Sequence, residues 1–336
     1  MPLEVIIAGV MIVALIIYAL LGGADYGGGV WDLFASGRRA GAQRALIAHA
    51  IGPVWEANHV WLILVIVILF TAFPPAFAAI SIALHIPLTL MLIGIVMRGT
   101  TFTFRAHDVQ HDYVQRRWSL LFSIASIITP IVLGIVLGAI ASGTIRVENG
   151  VMVSGFFKSW LAPFPISVGF FSLSLFAFIA AVYLTVEARD RDLQEDFRIR
   201  ALFAGIVVGI LALAVFILAG TGAPTVRAGI SRSWWALGLH GLTAMFAGGA
   251  FYALLTRKFR LARVCAAAQV TLILMGWALA QFPYLVEPDI TIYSAAAPPV
   301  TLKLLLIALV AGVLVLFPSY YYLFRIFKSE PSADGV

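Results

Sequence analysis

Residues 4–31, EVIIAGVMIVALIIYALLGGADYGGGVW, carry no charge from Val5 to Ala24. Twenty such residues at 1.5 Å each match the roughly 30 Å hydrocarbon thickness of a bilayer, so this stretch reads as a transmembrane helix. Its second half is unusual, because five glycines (Gly22, Gly23, Gly27, Gly28 and Gly29) crowd around one carboxylate, Asp25. Small residues of this kind let helices approach closely or let a helix unwind. Outward from this run the pattern repeats, with further spans expected at 46–70, 74–97, 119–141, 163–186, 201–220, 233–256, 261–282 and 300–327. Composition agrees. Of 336 residues 62% are apolar and 11% charged, a ratio outside the range of water-soluble domains. Nine spans of about 22 residues take up about 198 positions, which absorbs nearly all of the apolar residues.

The polar stretches around 98–118 and 187–200 are too short to build a soluble core. The expected architecture is therefore an all-α polytopic membrane protein, a single integral membrane domain over 1–336 with a short tail at 328–336. Two four-helix bundles, spans one to four and five to eight, with the ninth helix peripheral, make a natural packing, although no repeat is visible residue by residue. The opening residues MPLEVII lack the basic flank of a signal peptide and are expected to stay in the mature protein.

Net charge is +6, yet the basic residues form short clusters between apolar runs instead of the continuous basic face that nucleic acid requires. Seventeen of the 22 lysines and arginines follow spans one, three, five, seven and nine. By the positive-inside rule those loops are cytoplasmic, which places the N-terminus outside and the C-terminus inside.

Of the 16 acidic residues, 14 are expected in loops or near interfaces; Asp25 and Glu56 are the exceptions. Counted from the inner helix ends they lie roughly 10 Å and roughly 15 Å deep, where the predicted spans place no lysine or arginine. A carboxylate in hydrocarbon must be protonated, hydrated, hydrogen-bonded or paired, and each option marks a working site. Glu56 sits in GPVWEANHVWLI, residues 52–63, where Pro53 can kink the helix and His59 shares a face with Glu56 three residues on. Glu-x-x-His is also di-iron spacing, but no second copy exists, and His59 reads better as a hydrogen-bond partner of Glu56. His85 and His240 could ligate a haem from opposite helices; lone membrane histidines are more often hydrogen-bonded structural residues. A single cysteine, Cys265, excludes an internal disulfide framework, a thiolate-held cluster and a cysteine-built zinc site, so no metal is assigned.

The segments GGADYGGGVWDL (22–33) and GPVWEANHVWLI, followed by FPPAFAA (73–79), MRGTTFTFR (97–105) and QFPYLVEPDITIYSAAAPPVTLK (281–303), resemble subunit II of the cytochrome bd-type ubiquinol oxidases. The resemblance implies a subunit of a respiratory terminal oxidase in the bacterial inner membrane. It pairs with a homologous subunit I that carries the haems b and d and the quinol site, and the pair reduces dioxygen with ubiquinol or menaquinol. It implies no haem ligated by this chain, and it leaves room for a small single-span subunit and for bound lipid or quinone. Family members usually carry Asp at the position of Glu56 and Gln at that of His59. Trp61 matches a tryptophan on a proposed oxygen path. Arg98 and Arg105 mark the inner interface, with pairing to an acid or to a haem propionate of the partner as their further role.

Reducing dioxygen inside a dry protein consumes protons. Asp25, Glu56 and His59 therefore read as a proton relay from the cytoplasmic side, with burial raising the carboxyls toward neutrality. The rival reading is a proton-coupled secondary transporter, which would also place acids near the midplane, but the glycine cluster has no inverted counterpart later in the chain.

Overall fold

The computed structural model describes residues 2–51, 55–107, 112–148 and 151–328. Pro53 and any kink there lie outside the described residues. The helices are α1 (Leu3–Leu33), α2 (Ala40–Ile51), α3 (Trp55–Ala72), α4 (Pro74–Ala83), α5 (His85–His107), α6 (Asp112–Ala141), α7 (Pro163–Glu187), α8 (Arg191–Gly222), α9 (Pro224–Arg232), α10 (Ala236–Leu255), α11 (Phe259–Gln281) and α12 (Pro299–Lys328). Two short antiparallel hairpins complete the fold, β1 (Val147–Glu148) with β2 (Val151–Met152) and β3 (Tyr284–Val286) with β4 (Ile290–Thr291). Among the described residues seven helices are long and apolar enough to cross a membrane, or eight if the bent pair α3 and α4 is one broken span. The chain is an all-α polytopic membrane protein. Its outer surface agrees, since Ile210, Leu213 and Ile217 of α8 and Leu314 and Val315 of α12 are 60–71% exposed, a face suited to lipid and not to water.

The core is organised around α7. Every residue from Leu175 to Val182 is buried, as expected of a helix that is apolar all round and enclosed by others. Against it lies α1, which runs unbroken through its glycines. A Cβ on Gly27 would stand 2.0 Å from the Phe176 carbonyl oxygen, and one on Gly29 would stand 2.2 Å from Ser126 Oγ. The glycine cluster is thus a contact face that brings α1 onto α7 and α6, and the unwinding that the sequence also allowed does not occur. Trp31 Nε1 fixes the contact by donating to the Ala177 carbonyl at 2.8 Å. At the end of α1, Arg39 Nε donates to Asp196 at 2.9 Å and Gln43 Nε2 to the same carboxylate at 2.8 Å, which ties α2 to α8.

One expected span is corrected. The run over 74–97 is divided at Leu84 (φ −116°, ψ 21°), which separates α4 from α5, and α4 itself leaves α3 at 118° through Phe73, whose φ of −135° and ψ of 57° are non-helical. Pro74 causes the bend between α3 and α4, since it has no N–H to continue α3 and is preset for the first turn of a new helix. The same device recurs at Ala223 (φ −156°, ψ 66°) and Pro224, which open α9 in the interval between the spans expected at 201–220 and 233–256. The stretches expected as polar loops at 98–118 and 187–200 are largely helical, because α5 continues to His107 and α8 starts at Arg191. A repeat invisible at residue level emerges. Long, long, short proline-started, long, long occurs as α1, α3, α4, α5, α6 and again as α7, α8, α9, α10, α11.

Candidate functional site

Dividing the 74–97 run changes the depth of everything after it. With α5 starting at His85, Arg98 lies about 20 Å along that helix, well inside the bundle. There it meets Asp25. Arg98 Nη1 donates to Asp25 Oδ2 at 3.1 Å, Nη2 donates to Oδ1 at 2.9 Å and to the Asp25 carbonyl at 3.0 Å, and Nε donates to Ser126 Oγ at 3.1 Å. The two side chains are 1% and 2% exposed. This corrects the expectation that no cation lies at the depth of Asp25, and of the roles read for Arg98 the marking of the inner interface gives way to pairing with an acid. Three elements, α1, α5 and α6, supply the groups, and Gly29 makes room for Ser126.

Burying both charges is tolerable because the guanidinium N–H groups find several acceptors at once, in fork geometry. Aromatic faces complete the enclosure, with the guanidinium carbon 4.8 Å from the Tyr26 ring centroid and 4.9 Å from that of Phe122. Tyr26 leads on to α3. The His59 ring lies 6.1 Å from that of Tyr26, edge-on, and 6.2 Å from that of Tyr18. Tyr26 thus adjoins both the Arg98 guanidinium and the His59 ring. Trp61, two residues on, is 8% exposed and packs in the core that includes Tyr18, Tyr26 and Phe176.

The backbone of Glu56 lies in the first turn of α3, one turn before His59, and that of Arg105 lies near the end of α5. The side chains of both lie outside the described residues.

His85 Nδ1 stands 3.0 Å from the Ile82 carbonyl of α4, and His240 Nε2 stands 3.0 Å from the Ile230 carbonyl of α9. Each histidine is thus engaged with the short helix before its own, at separate places in the fold. They do not form the opposed pair that haem ligation would need. Among the described residues no three His, Cys, Asp or Glu side chains gather as a metal-binding set.

Sequence reasoning missed two buried carboxylates by placing them near interfaces. Asp32, 1% exposed, accepts from Ser123 Oγ at 3.3 Å. Glu287, 4% exposed, lies in the turn between β3 and β4 beside Thr225, and burial pushes its carboxyl above the ordinary glutamate value. Tyr18 and Tyr26 were missed as well. Their four-residue spacing with Gly22 was the available signal, read only as apolar helix. The site as a whole combines a fixed ion pair with a row of groups able to donate and accept protons.

Comparison with known proteins places these features in context. The family model "Cytochrome bd terminal oxidase subunit II" matches residues 3–327. A Bacillus subtilis (strain 168) protein, provisionally named cytochrome bd menaquinol oxidase subunit II, is 24% identical over 94% of this chain and 92% of its own. The cytochrome bd-I ubiquinol oxidase subunit 2 of Escherichia coli (strain K12) is 26% identical over 62% of this chain and 54% of its own. Among solved structures, a chain of the bd oxidase from Geobacillus thermodenitrificans superposes with a TM-score of 0.83 over 97% of this chain and 99% of that one, at 23% identity.

Proposed function

Because the chain belongs to the cytochrome bd terminal oxidase subunit II family, we propose that it carries protons from the cytoplasmic side toward the oxygen-reducing centre of its complex. The chain is subunit II of a cytochrome bd-type quinol oxidase and supports subunit I; the transporter reading falls with that assignment. In the proposed complex, haems b and d and the quinol site belong to subunit I, where the haems supply the oxygen chemistry. The names of the relatives include both a menaquinol and a ubiquinol oxidase, so the quinol is one of these.

The proposed arrangement is one membrane domain of nine spans with the N-terminus outside and the C-terminus in the cytoplasm. Counting α3 and α5 as spans in the place of 46–70 and 74–97 retains nine. The recurring helix order supports two groups of four, α1, α3, α5, α6 and α7, α8, α10, α11. The exposed apolar surface of α12 supports a peripheral place for it. The distribution of basic residues supports the orientation.

The observation that carries the proton role is the buried Asp25–Arg98–Ser126 constellation, with the His59 ring beyond Tyr26. Asp25 anchors the inner part of the path as the counter-ion of Arg98, and Glu56 on α3 takes and releases the proton, with His59 orienting it or passing the proton on. Trp61 flanks an oxygen path, and Arg105 is assigned to the contact with subunit I or a haem propionate there. A small single-span subunit and a bound lipid or quinone are further partners of the complex. The test is oxygen consumption by the assembled complex. Glu56→Gln keeps size and hydrogen bonding but removes the titratable proton, and is expected to lower turnover about tenfold or more with haem content intact. Glu56→Asp is expected to retain much of the rate. Wild-type turnover by the Gln variant across pH 6 to 8 would contradict the role.

A further inference from the structure

The stretch 281–303 carries part of the resemblance yet supplies no group to the proton path, and its hairpin holds a buried carboxyl. Glu287, in the turn between β3 and β4, is 4% exposed. Its backbone N–H donates to the Ile140 carbonyl in the last turn of α6 at 3.3 Å. Just past that helix end the chain turns at Gly143, whose φ is +70°, and a Cβ there would touch Glu287 Oε1 at 3.9 Å. Thr225, the second residue of α9, adjoins the same carboxyl. The turn therefore closes over the end of α6 and the start of α9. Oε2 of Glu287 is enclosed and takes no hydrogen bond among the described residues.

The charged and polar groups on these elements are committed elsewhere. Beyond α6, Arg146 Nε donates to Asp289 Oδ2 at 2.9 Å, and the Val147 N–H joins that oxygen at 2.8 Å. Arg227 of α9 donates to the Phe216 and Ile217 carbonyls of α8 at 2.6 and 3.2 Å. Arg232 lies two turns from Thr225 at the other end of α9. Gln281, which ends α11, gives its Nε2 to the Leu285 carbonyl at 3.3 Å, and Tyr284 opens β3. An ionised Glu287 would be an enclosed charge with no counter-ion among the described residues, a state far more costly than the neutral acid. Burial accordingly raises its carboxyl above the ordinary glutamate value.

We propose that Glu287 is a pH-sensitive clasp: holding its proton, the carboxyl lets the β3–β4 turn close over the ends of α6 and α9, and on losing that proton to water it drives the turn open. One O–H bond breaks, the proton leaves to solvent, and the carboxylate regains its hydration by swinging out. The neighbouring Asp289–Arg146 pair acts with the opposite sign, because it needs Asp289 ionised and so weakens toward acid. The direction of the pH response therefore tells the two carboxyls of the hairpin apart.

The experiment is backbone hydrogen exchange in the assembled complex from pH 5 to 8, corrected for the intrinsic rate at each pH, in the wild type and in Glu287→Gln. Peptides over 144–148, 223–227 and 284–291 report the clasp, and peptides over 175–182 of α7 serve as the internal reference. In the wild type, protection of the clasp peptides is expected to fall as pH rises, about tenfold per pH unit until the carboxyl has ionised in the closed turn and level beyond that. The reference stays unchanged. Glu287→Gln keeps the size of the side chain but cannot ionise, and its protection is expected to stay level from pH 5 to 8. The same pH dependence in both proteins, or none in the wild type, would overturn the clasp. A loss of protection toward acid would assign the opening to Asp289–Arg146 and overturn it as well. Should Glu287→Gln fail to assemble, the wild type decides alone: an alkaline loss confined to the clasp peptides supports the proposal, and a loss shared by the reference overturns it.

Discussion

Arg98 and Asp25 carry most of the electrostatic argument at the scale of single residues. Each is nearly inaccessible, and each would be an uncompensated charge without the other. Removing one partner of a buried pair costs about 3–5 kcal/mol, whereas replacing both by apolar groups of similar size is often close to neutral. We therefore expect Arg98→Met to lower the apparent melting temperature of the purified complex sharply, and Asp25→Leu combined with Arg98→Met to restore much of it without restoring turnover. A double variant no more stable than Arg98→Met alone would count against the pair as the organising feature. The sequence exposed one half of this pair. Asp25 stands out because it is a carboxylate inside an apolar run, whereas Arg98 looked like the end of a span. The difference lies in the break at Leu84, which takes the ten residues of α4 out of the supposed span and so moves Arg98 inward by more than two turns of helix.

Between elements, the glycines of α1 and the prolines that open α4 and α9 decide the packing. Hydropathy located the apolar runs, since length and charge depletion are local properties, and it left α9 outside the spans expected at 201–220 and 233–256. It did not separate α4 from α5, because a bend conserves apolar character while changing direction. Nor did it place the turn between β3 and β4, whose polar sequence resembles a solvated loop although Glu287 is buried in it. That burial has a consequence for pH. The Glu287 carboxyl is raised in the folded chain above the ordinary value of about 4.3, so the folded state holds this proton more tightly than the unfolded state. The stability it contributes is fully present below about pH 4.3 and is lost as pH rises through the folded value. Glu287→Gln should therefore resemble the wild type in melting temperature at acid pH and exceed it by a few degrees at pH 8. A difference independent of pH would contradict this assignment.

Over the whole molecule, the account joins a membrane scaffold to a path for protons. The scaffold was legible early, since composition fixed the class and the motifs at 22–33 and 52–63 carried the resemblance that the family match over residues 3–327 bears out. The candidate site was legible only in part. Sequence supplies Asp25, Glu56 and His59 as candidates, but Arg98 and Ser126 beside Asp25, and the Tyr18 and Tyr26 rings beside His59, depend on contacts between α1, α3, α5 and α6 that no local pattern announces. The most direct test of the central claim is proton uptake by the complex in vesicles whose cytoplasmic face is outward, followed with a pH-sensitive dye in the outer medium as the reduced enzyme reacts with oxygen. The account predicts uptake from that outer medium by the wild type, and uptake slowed about tenfold or more in Glu56→Gln with the haems still reduced normally by quinol. Uptake from the vesicle interior, or wild-type uptake by Glu56→Gln, would contradict it.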